Sequence, residues 1–220
     1  RDVDRLKLAM QGVDIVIHLA SIANDPSVEL NSRLSWEVNV LATQKLIENS
    51  VRNKVKQFIF ASSGSVYGVK KEKEVTEDLS LVPISTYNKT KMISERILKS
   101  YENDIKVHCI RPATVCGYSP RMRLDLTVNM FAFQALKFKS MSIFGGNQIR
   151  PNIHILDLIN VYKHFILNPN LPSGFYNAGF ENLKIIEIAK KVSEIIPSKI
   201  IVKNSNDPRS YRQNSHKLLS

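Results

Sequence analysis

Cysteine is nearly missing from this chain, with only Cys109 and Cys116 among 220 residues. Two thiols are too few for a disulfide framework, and neither has a His or Cys neighbour at metal-ligand spacing. A structural zinc or iron–sulfur centre is therefore excluded, and a reducing compartment is expected. Apolar runs are short: none approaches the roughly 20 residues that cross a bilayer, and no signal peptide is expected. A cytoplasmic protein with no membrane partner is expected. No internal repeat and no low-complexity tract interrupts the chain.

Positive charge is what the chain has in excess, +11 net. Such a balance suits an anionic partner: nucleic acid, a membrane surface or a phosphorylated small molecule. The lysines are interleaved with acids, however, as in "KKEKEVTED", and no basic run alternates with aromatics. Most of that charge reads as a solvated surface, and no nucleic-acid partner is expected. With 43% hydrophobic and 23% charged residues, the chain can bury a core as one large domain or two interleaved ones. It opens on Arg1 rather than Met and enters the apolar run "VDIVIHLA" almost at once, so the expectation is that its beginning is missing.

Residues 2–11 read as a short helix stopped by Gly12, followed by a buried strand from Asp14 to Ala20. A helix from about Asn31 to Asn53 places Leu34, Val38, Leu41 and Leu46 at helical spacing, and "KQFIFAS" (56–62) is a second buried strand. A charged loop, 68–82, leads to a helix over 85–102, and "KVHCIRP" (106–112) is a third strand ended by Pro112. Buried strands alternating with amphipathic helices define an α/β fold with a doubly wound parallel sheet. Beyond residue 116 the chain reads as a helix (127–138), a strand in "MSIFG", a helix (157–167), a strand in "GFYNAG", a helix in "KIIEIAKKVSEII" and a strand in "SKIIVKN". These form a smaller lobe plus returns to the main sheet.

In a doubly wound sheet, ligands bind at the carboxyl ends of the strands. Here those ends are "HLAS" (18–21), "ASSGSVYG" (61–68) and "RPATVCG" (111–117), so small and hydroxylic residues collect on one edge. Two tyrosines precede a lysine by four residues: Tyr67 with Lys71 and Tyr87 with Lys91. Tyr67 is followed by Gly68 and a charged loop that fixes nothing. Tyr87 opens a helix whose Ile93, Ile97, Leu98 and Tyr101 mark a buried face, which puts Lys91 one turn along on the same side. Tyr87 and Lys91 are the candidate acid–base pair.

The ordered set "HLAS", Asn39 in "NVLAT", "SSGSVYG", Tyr87 with Lys91, "RPATVCG", "GGNQIRPNIHILD" and "FYNAG" resembles the extended short-chain dehydrogenase/reductase family, in particular its nucleotide-sugar epimerases and dehydratases. The resemblance covers essentially the whole chain. It implies a Rossmann domain over 1–116 and about 153–181 and a substrate-binding lobe over about 117–152 and 182–220. It also implies NAD as cofactor, with NADP not excluded, a nucleotide-diphosphate sugar as partner, and a homodimer formed by the helices at 31–53 and 85–102. By resemblance, Ser63, Tyr87 and Lys91 are catalytic. Leu19, Ala20, Ser21, Asn39, Tyr87 and Lys91 face the cofactor, and Ser63, Thr114, Arg150 and Arg209 face the substrate. A lysine ammonium beside a tyrosine stabilises its phenolate and brings its pKa down from near 10. The tyrosine can then take a sugar hydroxyl proton while hydride leaves the same carbon.

The departures narrow the reaction. Dehydratases of the family carry a Glu, often after Asp, before the "VYG" motif, where this chain has Gly64 and Ser65. The Cys and His of the branch that inverts neighbouring carbons are matched by Ser65 and Ser119. What remains is reversible redox chemistry at one carbinol: a C4 epimerase of sugar nucleotide or surface polysaccharide biosynthesis, with a 4-keto-sugar reductase or a non-catalytic dinucleotide-binding relative as alternatives. The Gly-rich pyrophosphate turn and the residue that selects NAD or NADP are not in the sequence, and the C-terminus also reads as stopping early.

Overall fold

A computed structural model describes residues 3–205 and 210–220. In chain order its first elements are α1 (Val3–Ala9), β1 (Ile15–His18), α2 (Asp25–Leu30), α3 (Ser32–Trp36), a π-helical turn (Glu37–Leu41), α4 (Ala42–Arg52) and β2 (Gln57–Ala61). There follow a 3-10 turn (Gly64–Tyr67), α5 (Thr86–Lys99), β3 (Lys106–Pro112), β4 (Thr114–Cys116), α6 (Thr127–Phe138), β5 (Ser140–Phe144) and β6 (Ile149–His154). The last are α7 (Ile155–Leu167), β7 (Gly174–Ala178), β8 (Glu181–Lys184), α8 (Ile185–Ile195), β9 (Lys199–Lys203) and α9 (His216–Leu219). The chain divides into two compact units: residues 1–68, 80–111 and 161–176, and residues 69–79, 112–160 and 177–220.

The first unit is built on a sheet of order β1-β2-β3-β7, in which β1 pairs parallel with β2 and β2 parallel with β3. Parallel strands covered on both faces read as continuous apolar runs. "QFIF" in β2 is such a run, with Phe58, Ile59 and Phe60 all buried. Phe58 and Phe60 pack with Ile47 of α4, Leu98 of α5, and Val107 and Cys109 of β3 in one cluster. Each such side chain contributes about 1.5–3 kcal/mol on burial. The result is the Rossmann-like α/β arrangement that the alternation of elements predicts.

The helix expected over 31–53 is continuous but not uniform. Its π-turn inserts an extra residue, a feature often found at functional sites, and shifts the phase of the face that follows. Leu41, expected on the apolar stripe, is consequently 51% exposed, while Val40, Thr43 and Ile47 are buried. An unexpected helix, α2, precedes it, capped by the Asn24 side chain accepting from the Ser27 amide at 2.8 Å. Gly68 closes the 3-10 turn at φ 70°, where a Cβ would collide with the Val82 carbonyl, so glycine is required.

The second unit holds a sheet of order β4-β6-β8, with β4·β6 parallel and β6·β8 antiparallel, and a parallel pair β5·β9. Its core joins Phe131 and Ala135 of α6, Met141 and Ile143 of β5, and Ile185, Ile188 and Ala189 of α8. The short strands β4, β6 and β8 were not expected from the sequence. Among the described residues, no helix is long and apolar enough to cross a membrane.

Candidate active site

The carboxyl end of β2 and the first turns of α5 bring the candidate catalytic residues together within the first unit. Helix α5 starts at Ser85, whose hydroxyl accepts from the Asn88 amide at 3.2 Å and donates to Asp25 at 2.6 Å. That cap fixes the first turn and with it Tyr87. One turn on, Lys91 is 4% exposed and donates from Nζ to the Ala61 carbonyl at 2.8 Å. Its ammonium lies 4.8 Å from the Phe60 ring centroid and 5.9 Å from that of Tyr87. Desolvation lowers its pKa to about 8, against the opposing pull of Glu95. At neutral pH Lys91 is thus a poorly hydrated cation beside the Tyr87 ring, the arrangement that favours a phenolate.

Ser63 follows β2 directly and caps the 3-10 turn, accepting from the Ser65 amide at 3.2 Å. Its hydroxyl meets that of Ser65 at 2.7 Å, and Ser65 donates to Asn88 Oδ1 at 2.5 Å. The neighbouring Ser62 hydroxyl is buried and has no hydrogen-bond partner among the described residues. The other tyrosine, Tyr67, is fully buried and accepts from Arg111 at 2.7 Å, whereas Lys71 is exposed.

At the end of β1, Leu19 is 59% exposed, Ala20 is exposed, and Ser21 is half-buried with its hydroxyl donating to Asn39 Oδ1 at 3.0 Å. Asn39 sits inside the π-turn, 2% exposed. Its Oδ1 also accepts from the Ile22 amide, its Nδ2 donates to the Ile22 carbonyl and Thr90 Oγ1, and its own carbonyl accepts from the Thr43 and Ser94 hydroxyls. Thr90 in turn donates to the Tyr87 carbonyl at 2.7 Å. Asn39 therefore ties the end of β1 to the turn that carries Tyr87. Because the Thr43 proton goes to Asn39, His18 Nε2 must be the donor in its 2.8 Å bond to Thr43. Burial, aided by Lys91, lowers the His18 pKa to about 4, so this ring stays neutral.

Sequence reasoning missed a polar stripe on α5. Asn88, Thr90, Ser94 and Glu95 are buried alongside Lys91. Their spacing on the Lys91 side of the helix was the available signal. Tyr162 on α7 was missed as well: burial raises its pKa, and the nearby Tyr87 adds to the rise.

Thr114, on β4 opposite Asn152, and Arg150, on β6 opposite Leu183, belong to the second unit and are half-buried. Arg209 lies outside the described residues.

The model of the NAD-dependent epimerase/dehydratase family matches residues 1–179. The chain belongs to that family. It is 31% identical over 196 residues to an uncharacterised UDP-glucose epimerase, YtcB, of Bacillus subtilis, covering 84% of this chain and 60% of that protein. It is 28% identical to the UDP-glucose 4-epimerase of Lactobacillus helveticus, covering 93% of this chain and 69% of the relative. Among solved structures of this family, the UDP-glucuronic acid 4-epimerase of Bacillus cereus in complex with UDP-glucuronic acid and NAD superposes with TM-score 0.85 at 27% identity. That match covers 99% of this chain and 72% of the other. MoeE5 in complex with UDP-glucose and NAD gives TM-score 0.86 at 24% identity, covering 99% and 76%, a likeness of fold. This is an enzyme family whose cofactor is NAD.

Proposed function

We propose that the protein is an NAD-dependent nucleotide-sugar epimerase acting at C4 of a hexose. The observation that carries this reading is the buried Lys91 ammonium beside Tyr87, with Ser63 at the neighbouring strand end and no carboxylate at positions 64 or 65. Similarity to UDP-glucose and UDP-glucuronic acid epimerases supports the substrate class. Without a carboxylate before the "VYG" turn, no group on that turn can remove the C5 proton needed for 4,6-dehydration.

The residues present fit the nicotinamide half of NAD. Exposed Leu19 and Ala20 offer an apolar platform at the end of β1, and just past β2 the Ser62 hydroxyl has no partner among the described residues. Leu19, Ala20, Ser21, Tyr87 and Lys91 are the residues that would hold it, with Asn39 fixing Ser21. NAD supplies a hydride acceptor when bound. Tyr87, as phenolate, takes the proton of the C4 hydroxyl; Lys91 stabilises that phenolate; Ser63 hydrogen-bonds the reacting oxygen. Tyr87 would then return that proton to the C4 oxygen once the sugar presents its other face, and because bound NAD would both take and give back hydride, no net oxidation would occur. Thr114 and Arg150 are assigned to the nucleotide sugar, a forked guanidinium suiting a diphosphate. Homodimerisation through the helices at 31–53 and 85–102 belongs to the same reading and is supported by the exposure of Leu41 on the first of them.

The test is to supply the whole protein with NAD and UDP-glucose, UDP-glucuronic acid or dTDP-glucose, and to follow the C4 epimer by NMR. Tyr87→Phe should lower kcat about a thousandfold, the scale of a lost acid–base group. No turnover of any of these sugars, or an undiminished Tyr87→Phe variant, overturns the assignment.

A further inference from the structure

The hydroxyl of Ser63 is not free in this structure, and the chain of bonds that holds it has a definite direction. Asn88 Oδ1 can only accept, so the proton in its 2.5 Å bond with Ser65 comes from Ser65. Ser65 has one hydroxyl proton, and it is spent there. The 2.7 Å contact between the two serine hydroxyls must therefore be a bond donated by Ser63 to Ser65. Ser63 accepts, besides, from the Ser65 amide at 3.2 Å. Protons thus run from Ser63 to Ser65 to Asn88, and Ser63 presents only its one remaining lone pair to whatever stands before it.

A ketone oxygen needs the opposite. It has no proton to give, so a serine that stabilises it must donate. The last member of the relay is the one residue able to reverse it. Asn88 is an amide with an acceptor and a donor at the two ends of one planar group, and a half-turn about its last torsion exchanges them. Among the described residues its Nδ2 has no hydrogen-bond partner to oppose that turn. After the turn, Nδ2 donates to Ser65, Ser65 donates to Ser63, and the Ser63 proton is released outward. Asn88 is 7% exposed, so bulk water cannot readily replace it in this role. It is fixed as well, because its own amide bonds the Ser85 cap at the start of α5.

We propose that Asn88 is a positioning residue that acts through Ser65 to set whether Ser63 accepts from or donates to the reacting sugar oxygen, its amide turning over between the alcohol and ketone stages. This rests on the epimerase reading above and deepens it. The consequence is an asymmetry between two substitutions, one that keeps the acceptor and one that removes it. Asp at position 88 is an acceptor only when ionised, and it locks the relay with Ser63 donating inward. Gly removes the end of the relay and leaves Ser65 free to donate to Ser63.

The experiment compares Asn88→Asp, Asn88→Gly and the unaltered whole protein in NAD-dependent turnover of UDP-glucose or UDP-glucuronic acid between pH 5 and 9. Asn88→Asp is expected to lower kcat by ~10- to 100-fold above the carboxyl pKa with KM changed less than about twofold, the loss of one oriented hydrogen bond in the transition state. Relative to Asn88→Gly, its kcat should recover as pH falls and the carboxyl gains a proton it can donate. Asn88→Gly should lose only about fivefold or less, on the same estimate for a bond weakened but not reversed. A residue that merely held the fold together would give two comparably impaired variants with parallel pH profiles, and that result overturns the relay. So does an Asn88→Asp enzyme with unaltered kcat. If the unaltered protein turns over neither sugar, the epimerase reading itself fails, and the relay's catalytic role fails with it.

Discussion

Lys91 concentrates the energetic cost of the site in one side chain. Its ordinary pKa of 10.5 falls to about 8 because burial penalises the ammonium. Below pH 8 both folded and unfolded chains hold the proton, and the penalty is present in full. Between about 8 and 10.5 the unfolded chain binds more protons, so stability rises with pH across that window, by about 3 kcal/mol for a shift of this size. Lys91→Met should therefore be at least as stable as the unaltered protein at pH 7, by about 1–3 kcal/mol after the lost bond to Ala61 is discounted. The variant should lack the rise above pH 8 and should be inactive. Urea midpoints at pH 7, 8, 9 and 10 check this; a destabilised variant with an unchanged pH slope would show that the ammonium is not buried at a cost. The Tyr87–Lys91 pair was legible because its spacing on an amphipathic helix is a one-dimensional signal. The Ser65–Asn88 bond was not, since it joins residues 23 apart in sequence through a turn whose shape no local pattern announces.

Helix α5 illustrates the same limit for a whole element. Its existence, its Ser85 start and the packing of Ile97 and Leu98 were readable from spacing; Tyr101 joins the same cluster from just past the end of the helix, while Ile93, expected on that face, is half-buried and outside the cluster. Its buried polar face was not, because Glu95 is tolerated there only by the partner it finds on β3. Arg111 donates to both Glu95 oxygens, at 2.9 and 2.7 Å, and stacks 4.9 Å from the Tyr67 ring and 4.5 Å from that of Phe175. Burial opposes the guanidinium charge, but the Glu95 bonds outweigh it and raise its pKa. Removing one member strands the other: Glu95→Gln should cost about 3–5 kcal/mol, whereas replacing both by well-packed apolar residues, Glu95→Leu with Arg111→Met, should restore most of that loss. Denaturant unfolding of the single and double variants measures it, and a single variant within about 1 kcal/mol of the unaltered protein, the scale of an exposed pair, would refute a buried dependence. The helix over 31–53 carries a similar lesson. Its length was evident, but the π-turn at Asn39 was not, because its carbonyl is bonded by hydroxyls from two different helices. Strand β4, three residues long, is too short to show a period, and neither β6 nor β8 alternates between buried and exposed positions.

For the molecule as a whole, the net charge of +11 is the property most open to a functional reading, and the structure shows how it is spread. Lys56 pairs with Asp14 at 2.8 Å, Arg33 with Glu37 at 3.3 Å and Arg123 with Asp125 at 2.6 Å, all on the surface, while Lys91 and Arg111 are buried. Exposed pairs of this kind contribute roughly 0–1 kcal/mol to stability and act mainly by breaking up the positive field. The excess charge should attract polyanions weakly and without preference. Duplex DNA of two unrelated sequences should bind equally at 20 mM salt, and log affinity should fall linearly with log salt concentration, so that binding vanishes near about 0.2 M, where the Debye length is below about 10 Å. A small dianion such as a nucleotide-sugar diphosphate makes few such contacts, so the same salt increase should leave its binding far less affected than that of the duplex. Fluorescence anisotropy against both DNA duplexes across a salt series decides the matter. Affinity that survives physiological salt, or that differs between the sequences by more than about tenfold, the scale of one good base contact, would mean that the charge forms a nucleic-acid site after all.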